Sequence, residues 1–142
     1  MIIISGDSWG VGEWGTDPKT RQTCSVTGPG IGQYLSLHDK VVNLSEGGCG
    51  NTDSFLYLRA FLSRFKANEK DIFYFIVTDP LRNVESLTDI NQGIEQAIRL
   101  QLDRVLKKLN QLATSHKIHI NLIGGVCDLD TVDITSYNNL KI

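Results

Sequence analysis

The sequence has little from which a disulfide framework, a metal centre or an electrostatic docking face can be built. Its three cysteines, Cys24, Cys49 and Cys127, are odd in number and far apart. They form no CxxC pair and join no histidine at zinc-ligand spacing, so a disulfide scaffold and a structural metal are not expected, and a reducing, cytoplasmic setting fits best. Charge of one sign is equally scarce: 14 basic against 16 acidic residues leave a net charge of -2, with no Lys/Arg stripe. Such a surface has no field to gather nucleic acid or anionic lipid. Long apolar runs are missing too. Ile2-Ile3-Ile4 is too short for the apolar core of a signal peptide, and no later stretch approaches the ~18 consecutive apolar residues of a membrane span. No P-loop lysine motif occurs, the glycines are not read as a G-x-G-x-x-G fingerprint, nucleotide binding is not expected, and no cofactor is called for.

At 142 residues the chain suits a single domain, residues 1–142, large enough to bury roughly two thirds of its unfolded surface. What it does contain is a recurring order of apolar run, glycine turn and amphipathic segment. Met1 to Gly12 reads MIIISGDSWGVG, a strand-forming isoleucine run halted by Ser5-Gly6-Asp7-Ser8. Trp9 to Gly30 reads as a long surface loop carrying Trp9, Trp14 and Arg21, either a substrate-contacting lid or an ordinary insertion. Ile31 to Leu37 supplies a short helix and Val41 to Leu44 a second strand. A second glycine-rich turn, Ser45 to Asn51, leads into an amphipathic helix over Thr52 to Phe65, with Asn51 as its expected N-cap.

Asp71 to Val77 is nearly all apolar, as a central parallel strand buried on both faces requires. It ends at Thr78-Asp79-Pro80, where proline cannot continue the ladder. The longest helix follows, opened by Ser86 and Asp89 at capping-box spacing, with an apolar face from Ile90 and Ile94 through Ala97, Leu102 and Leu109 to Leu112. Ile118 to Ile123 is the fourth strand and runs into Gly124-Gly125. The tail from Val126 to Ile142 carries no clear pattern. Strands alternating with helices predict a three-layer α/β/α sandwich on a parallel sheet, with right-handed crossovers and strand order 2-1-3-4. Ligands bind beyond the carboxyl ends of such strands. Four segments converge there: Asp7 and Ser8, Gly47 to Asn51, Thr78 to Arg82, and Gly124 to Asp128.

These ends carry a resemblance. Gly6-Asp7-Ser8 after the first strand resembles the opening block of the GDSL, or SGNH, hydrolases, serine esterases and acyl-transfer enzymes on a flavodoxin-like sheet. Asn43-Leu44-Ser45-Glu46-Gly47-Gly48 is similar to the second block of that family. The resemblance, extending from Met1 to about Gly125, implies acyl transfer on a small ester or acylated substrate. Ser8 would attack the carbonyl, and the backbone N–H groups of Ser8 and Gly48 would stabilise the oxyanion. Asp7, Asn51, Asp79 and Arg82 stand beside it as candidate binding residues. Without the resemblance, Asp7 and Ser8 read as a self-capped turn, and Gly47, Gly48 and Gly50 as a tight turn needing positive φ.

The chain departs from that family in two blocks. Where the family ends its third strand with Gly-x-Asn-Asp, this sequence reads Val77-Thr78-Asp79-Pro80. Thr78 can donate through its hydroxyl, whereas an ionised Asp79 only accepts. Asp79 and Arg82 are expected to pair, or to leave Arg82 facing an anionic ligand. The Asp-x-x-His of the family is absent, and His38, His116 and His119 all fall at the entries to strands, His38 and His116 on the surface and His119 packed within its strand. A serine without a base is a poor nucleophile. The histidine then lies beyond Ile142, or comes from a partner chain, or the domain is a non-catalytic module for an acylated or carbohydrate ligand. Cys49 reads as a small buried filler against a reactive thiol. Asp128, Asp130 and Asp133 lack the glutamate of a calcium loop and read as solvated acids.

Overall fold

The structure is a computed structural model that describes residues 1–11, 14–16, 23–25, 31–82, 93–125, 129 and 132–142; the side chains of residues 8, 9, 14–16, 23–25 and 33 fall outside that description. Strand β1 (Ile2–Ser5) is buried along its whole length, and the chain turns at Gly6-Asp7 directly into a four-residue helix, α1 (Ser8–Val11). The segment expected as a plain loop contains an antiparallel pair, β2 (Trp14–Thr16) and β3 (Thr23–Ser25), with Trp14 opposite Ser25. Three-residue strands with a glycine in the middle of one leave no alternation to detect, which is why the sequence conceals them. Arg21 lies outside the described residues.

Then come α2 (Ile31–Ser36), β4 (Val41–Asn43), α3 (Asn51–Leu62) and β5 (Ile72–Val77). The long helix α4 (Ile94–His116) leads to β6 (Ile120–Gly124) and finally β7 (Leu140–Lys141). The helical period is present as expected over residues 97–112, where Ala97, Leu102, Val105, Leu106, Leu109 and Leu112 are all buried, whereas Ile94, placed on the same face, is exposed. Ser86, Asp89 and Ile90 lie outside the described residues; α4 begins after Gly93 instead and ends on Lys117, whose φ of 56° closes the helix in the left-handed conformation.

The main sheet has the order β4-β1-β5-β6-β7 and every pair in it is parallel. The order 2-1-3-4 expected for four strands is therefore extended by a fifth drawn from the unassigned tail. Two residues suffice for it: Leu140 pairs with Ile120 and buries its side chain. The two crossovers out of the centre run in opposite directions, so right-handedness puts their helices on opposite faces. One face, formed by Ile3, Phe73, Phe75, Val77, Ile120 and Leu122, packs under α3 and α4. The other, formed by Ile2, Ile4 and Ile76, packs under Ile31 and Leu35 of α2. This is a three-layer α/β fold of the flavodoxin-like kind. Its topological switch point lies between β1 and β5, the crevice in which such sheets hold ligands.

Candidate functional site

At the switch point the first two turns are bound to each other. The carbonyl of Asp7 accepts the N–H groups of Gly10 (3.0 Å) and Val11 (3.3 Å), which closes α1 onto the end of β1. Glu46 donates its N–H to the carbonyl of Gly6 at 3.2 Å, and the Asn43 side-chain amide donates to the carbonyl of Gly10 at 2.8 Å while accepting the Ser45 N–H at 3.0 Å. Only glycine fits at position 10, because a Cβ there would overlap the Ser45 side chain. Ser8 opens α1 at this junction. In the second turn Gly48 has φ of +79°, a conformation that disfavours other residues, and a Cβ there would meet nothing within 4 Å. The Gly48 position thus borders open space.

Across the crevice, Asn51 is the first residue of α3 rather than its cap. Gly50 takes the cap position, and its N–H is accepted by the Asp53 carboxylate at 3.2 Å. The Asn51 amide instead spans to the end of β5, donating to the Thr78 carbonyl at 3.1 Å and accepting the Thr78 N–H at 2.9 Å. This reciprocal pair satisfies both backbone groups of Thr78 where the ladder ends. The Thr78 side chain is wholly buried, and Oγ1 has no hydrogen-bond partner among the described residues. Gly48 is exposed and Thr78 is not, so the hydroxyl does not face the open space beside Gly48.

The expected Asp79–Arg82 pair is not formed. The Asp79 carboxylate turns back to accept the Leu81 N–H at 2.9 Å, a local bond that aspartate makes readily in turns. Arg82 reaches across the crevice instead, with Nη1 3.6 Å from the fully buried carboxylate of Asp7 and 3.5 Å from the Cys49 carbonyl. One guanidinium therefore touches the turns after β1 and β4 from the turn after β5. A pair this distant in sequence is visible only once β1 and β5 are set side by side.

Cys49 is buried, as expected for a filler, and burial pushes its thiol pKa up, away from the thiolate form. Nearby, Tyr57 donates its hydroxyl to Glu46 at 2.7 Å, and that carboxylate drives the phenol pKa upward. These two residues border an open groove of about 730 Å³ walled by Leu44, Ala60, Phe61 and Phe65. The groove flanks the second turn on the side of α3 and does not include the β1–β5 crevice.

All three histidines lie at the opposite end of the sheet. His38 is exposed between α2 and β4, and His116 is the last residue of α4. His119 is also exposed, in the connection before β6, and is not the packed strand residue expected. Among the described residues no group of three His, Cys, Asp or Glu side chains is placed to hold a metal, and Asp133 accepts from the backbone and hydroxyl of Thr135. Asp128 and Asp130 fall outside the described residues. No helix among the described residues is long and apolar enough to cross a membrane.

The expectation of no G-x-G-x-x-G fingerprint is corrected by the sequence itself. Gly10 to Gly15 has the spacing G-x-G-x-x-G, but α1 spans only four residues and Gly15 lies in the β2–β3 pair. The run does not open the long helix on which a dinucleotide pyrophosphate rests. Comparison with known protein families and with curated proteins finds no match to this chain.

Proposed function

We propose that the protein is an ester or acyl-group hydrolase of the GDSL/SGNH type, acting through Ser8 on a small acylated substrate. The observation that carries this reading is the joint at the switch point: β1 passes through Gly6-Asp7 into a helix that starts at Ser8, and the turn bearing Gly48 is hydrogen-bonded to that joint through Gly6. In the reaction, the Ser8 hydroxyl adds to the carbonyl carbon, and the oxyanion is held by backbone N–H groups, Gly48 among them. Each such donor contributes roughly 3–4 kcal/mol to the transition state. The proton acceptor comes from outside these 142 residues, because the histidines of the chain sit at the far end of the sheet. A free serine hydroxyl is otherwise almost wholly protonated at neutral pH.

A second reading has its own support. The arginine–carboxylate pair across the crevice is an arrangement for holding a ligand, so the same scaffold serves a non-catalytic binding module for an acylated or carbohydrate ligand. A fluorophosphonate probe separates the two. The hydrolase reading expects the wild type to label covalently, more strongly with free imidazole supplied as the missing base, and Ser8→Ala to remain unlabelled. A wild type that stays unlabelled with and without imidazole leaves the binding module.

A further inference from the structure

We infer that Arg82 is the anion-recognising residue of the β1–β5 crevice and that its ligand is a small-molecule carboxylate, the acid of an acyl ester or a substrate bearing such a group. The inference rests on the proposed acyl chemistry only for the identity of that acid; the binding itself needs no reaction at Ser8.

Arg82 approaches Asp7 through Nη1 alone and at 3.6 Å, beyond the ~2.7–2.9 Å of a charge-assisted, two-pronged arginine–carboxylate pair. Its Nη2 and Nε have no hydrogen-bond partner among the described residues, and the side chain remains 35 % exposed while Asp7 is fully buried. Asp7 and the Cys49 carbonyl therefore anchor the guanidinium through Nη1, and the partly exposed side chain keeps Nη2 and Nε for a ligand at the switch point. Such an edge matches the two oxygens of a carboxylate.

Three polar neighbours at this end do not compete for such a ligand. Asn51 is used on the Thr78 backbone, Asp79 on the Leu81 N–H, and Thr78 is wholly buried. Charge selects within the anions. A monoanion adds one negative charge beside Asp7 and Asp79, whereas a dianionic phosphate adds two. A carboxylate is therefore preferred over inorganic phosphate.

The test is a titration of the isotope-labelled full chain with butyrate, butyramide and inorganic phosphate, followed by amide and guanidinium NMR signals. Butyrate is expected to shift the Arg82 side-chain, Cys49 and Gly48 resonances saturably, butyramide not at all, and phosphate more weakly than butyrate. Arg82→Gln should weaken butyrate binding roughly tenfold or more, with Arg82→Lys in between. Shifts confined to other residues, or an equal response to butyramide, overturn the inference from wild-type protein alone, even if Arg82→Gln does not fold. Butyrate binding in a protein that no fluorophosphonate labels would remove the hydrolase reading and leave this one standing, and labelling at Ser8 without butyrate shifts would do the reverse.

Discussion

At the amino ends of the strands the N-terminal ammonium lies 3.3 Å from Asp39 and 3.5 Å from Asp71, and the Asp71 carboxylate also accepts two bonds from Asn68, at 2.9 and 2.7 Å. At the carboxyl ends Ser5, Asp7, Asn51, Ser54 and Thr78 are all buried, and the hydroxyls of Ser54 and Thr78 have no hydrogen-bond partner among the described residues. The same sheet thus ends in two ways. One end gives its buried carboxylate, Asp71, close partners in the ammonium and Asn68. The other holds polar groups inside protein, where each unmet hydroxyl opposes folding by about 1–3 kcal/mol. Stability alone would favour apolar side chains at those positions. Polar residues retained against stability are what a binding crevice requires, and they coincide with the switch point of the sheet.

The sharpest way to break this contrast is at Asn51. Asn51→Ala removes two buried hydrogen bonds and leaves both backbone groups of Thr78 unmet, so a loss of about 3–4 kcal/mol in urea unfolding is expected. Asn51→Asp keeps the acceptor for the Thr78 N–H but sets a carboxylate oxygen against the Thr78 carbonyl, and should be no better. A loss below ~1 kcal/mol in Asn51→Ala would mean that water enters this end freely, and the contrast would be gone. Arg82→Ala comes next. It removes one cationic neighbour of the buried Asp7 carboxylate, but the arginine is 35 % exposed and the pair long, so about 1–2 kcal/mol is expected rather than the full penalty of a sealed ion pair.

Gly48 separates conformation from burial at the same end. It is exposed, and its Cβ position is open, so Gly48→Ala suffers only the left-handed backbone penalty of about 1 kcal/mol. A much larger loss would show that the turn is packed in solution, which would remove the open space on which the oxyanion reading depends.

These residues also mark how far the sequence could be read. The sheet was legible because Ile2–Ile4 and Ile72–Val77 are apolar runs too short for helices, with glycine or proline after them, and α4 because its apolar period persists over five turns. The hairpin β2–β3 and strand β7 were not, since segments of two or three residues have no period. At the site, the strand-end turns could be found from Gly6-Asp7-Ser8 and from Gly47-Gly48. What Asn51 and Arg82 do could not. Asn51 has the right chemistry for a cap, and the competing partner, the backbone of Thr78, is brought near only by the β1–β5 register. Arg82 had a carboxylate three residues away, but the turn geometry gave Asp79 a backbone N–H and freed Arg82 to reach Asp7.

The smallest expected effect lies at the amino end, in the tie that holds β7. Tyr137 donates its hydroxyl to Asp103 at 2.8 Å, and Lys107 contacts the same carboxylate at 2.7 Å. Lys107 and then Tyr137 hold the Asp103 pKa below the usual carboxylate value, while burial, and then Asp103, push the Tyr137 phenol up to about 12. A lowered carboxylate stabilises the folded state above its unfolded pKa near ~4, and that contribution fades as pH falls through the folded value. A raised phenol stabilises it below the unfolded pKa near ~10 and loses that contribution as pH climbs toward 12. The tie is therefore complete between about pH 5 and 9. Hydrogen exchange at Leu140 and Ile120 should show protection that declines on both sides of this window. Tyr137→Phe should lower stability by only about 0.5 kcal/mol, because Asp103 is 44 % exposed. It should abolish the alkaline decline and leave most of the acid one, since Lys107 is the stronger influence on Asp103. An effect as large as that of Asn51→Ala would mean that this tie is sealed from water like the Asn51–Thr78 pair, and the two ends of the sheet would no longer differ in kind.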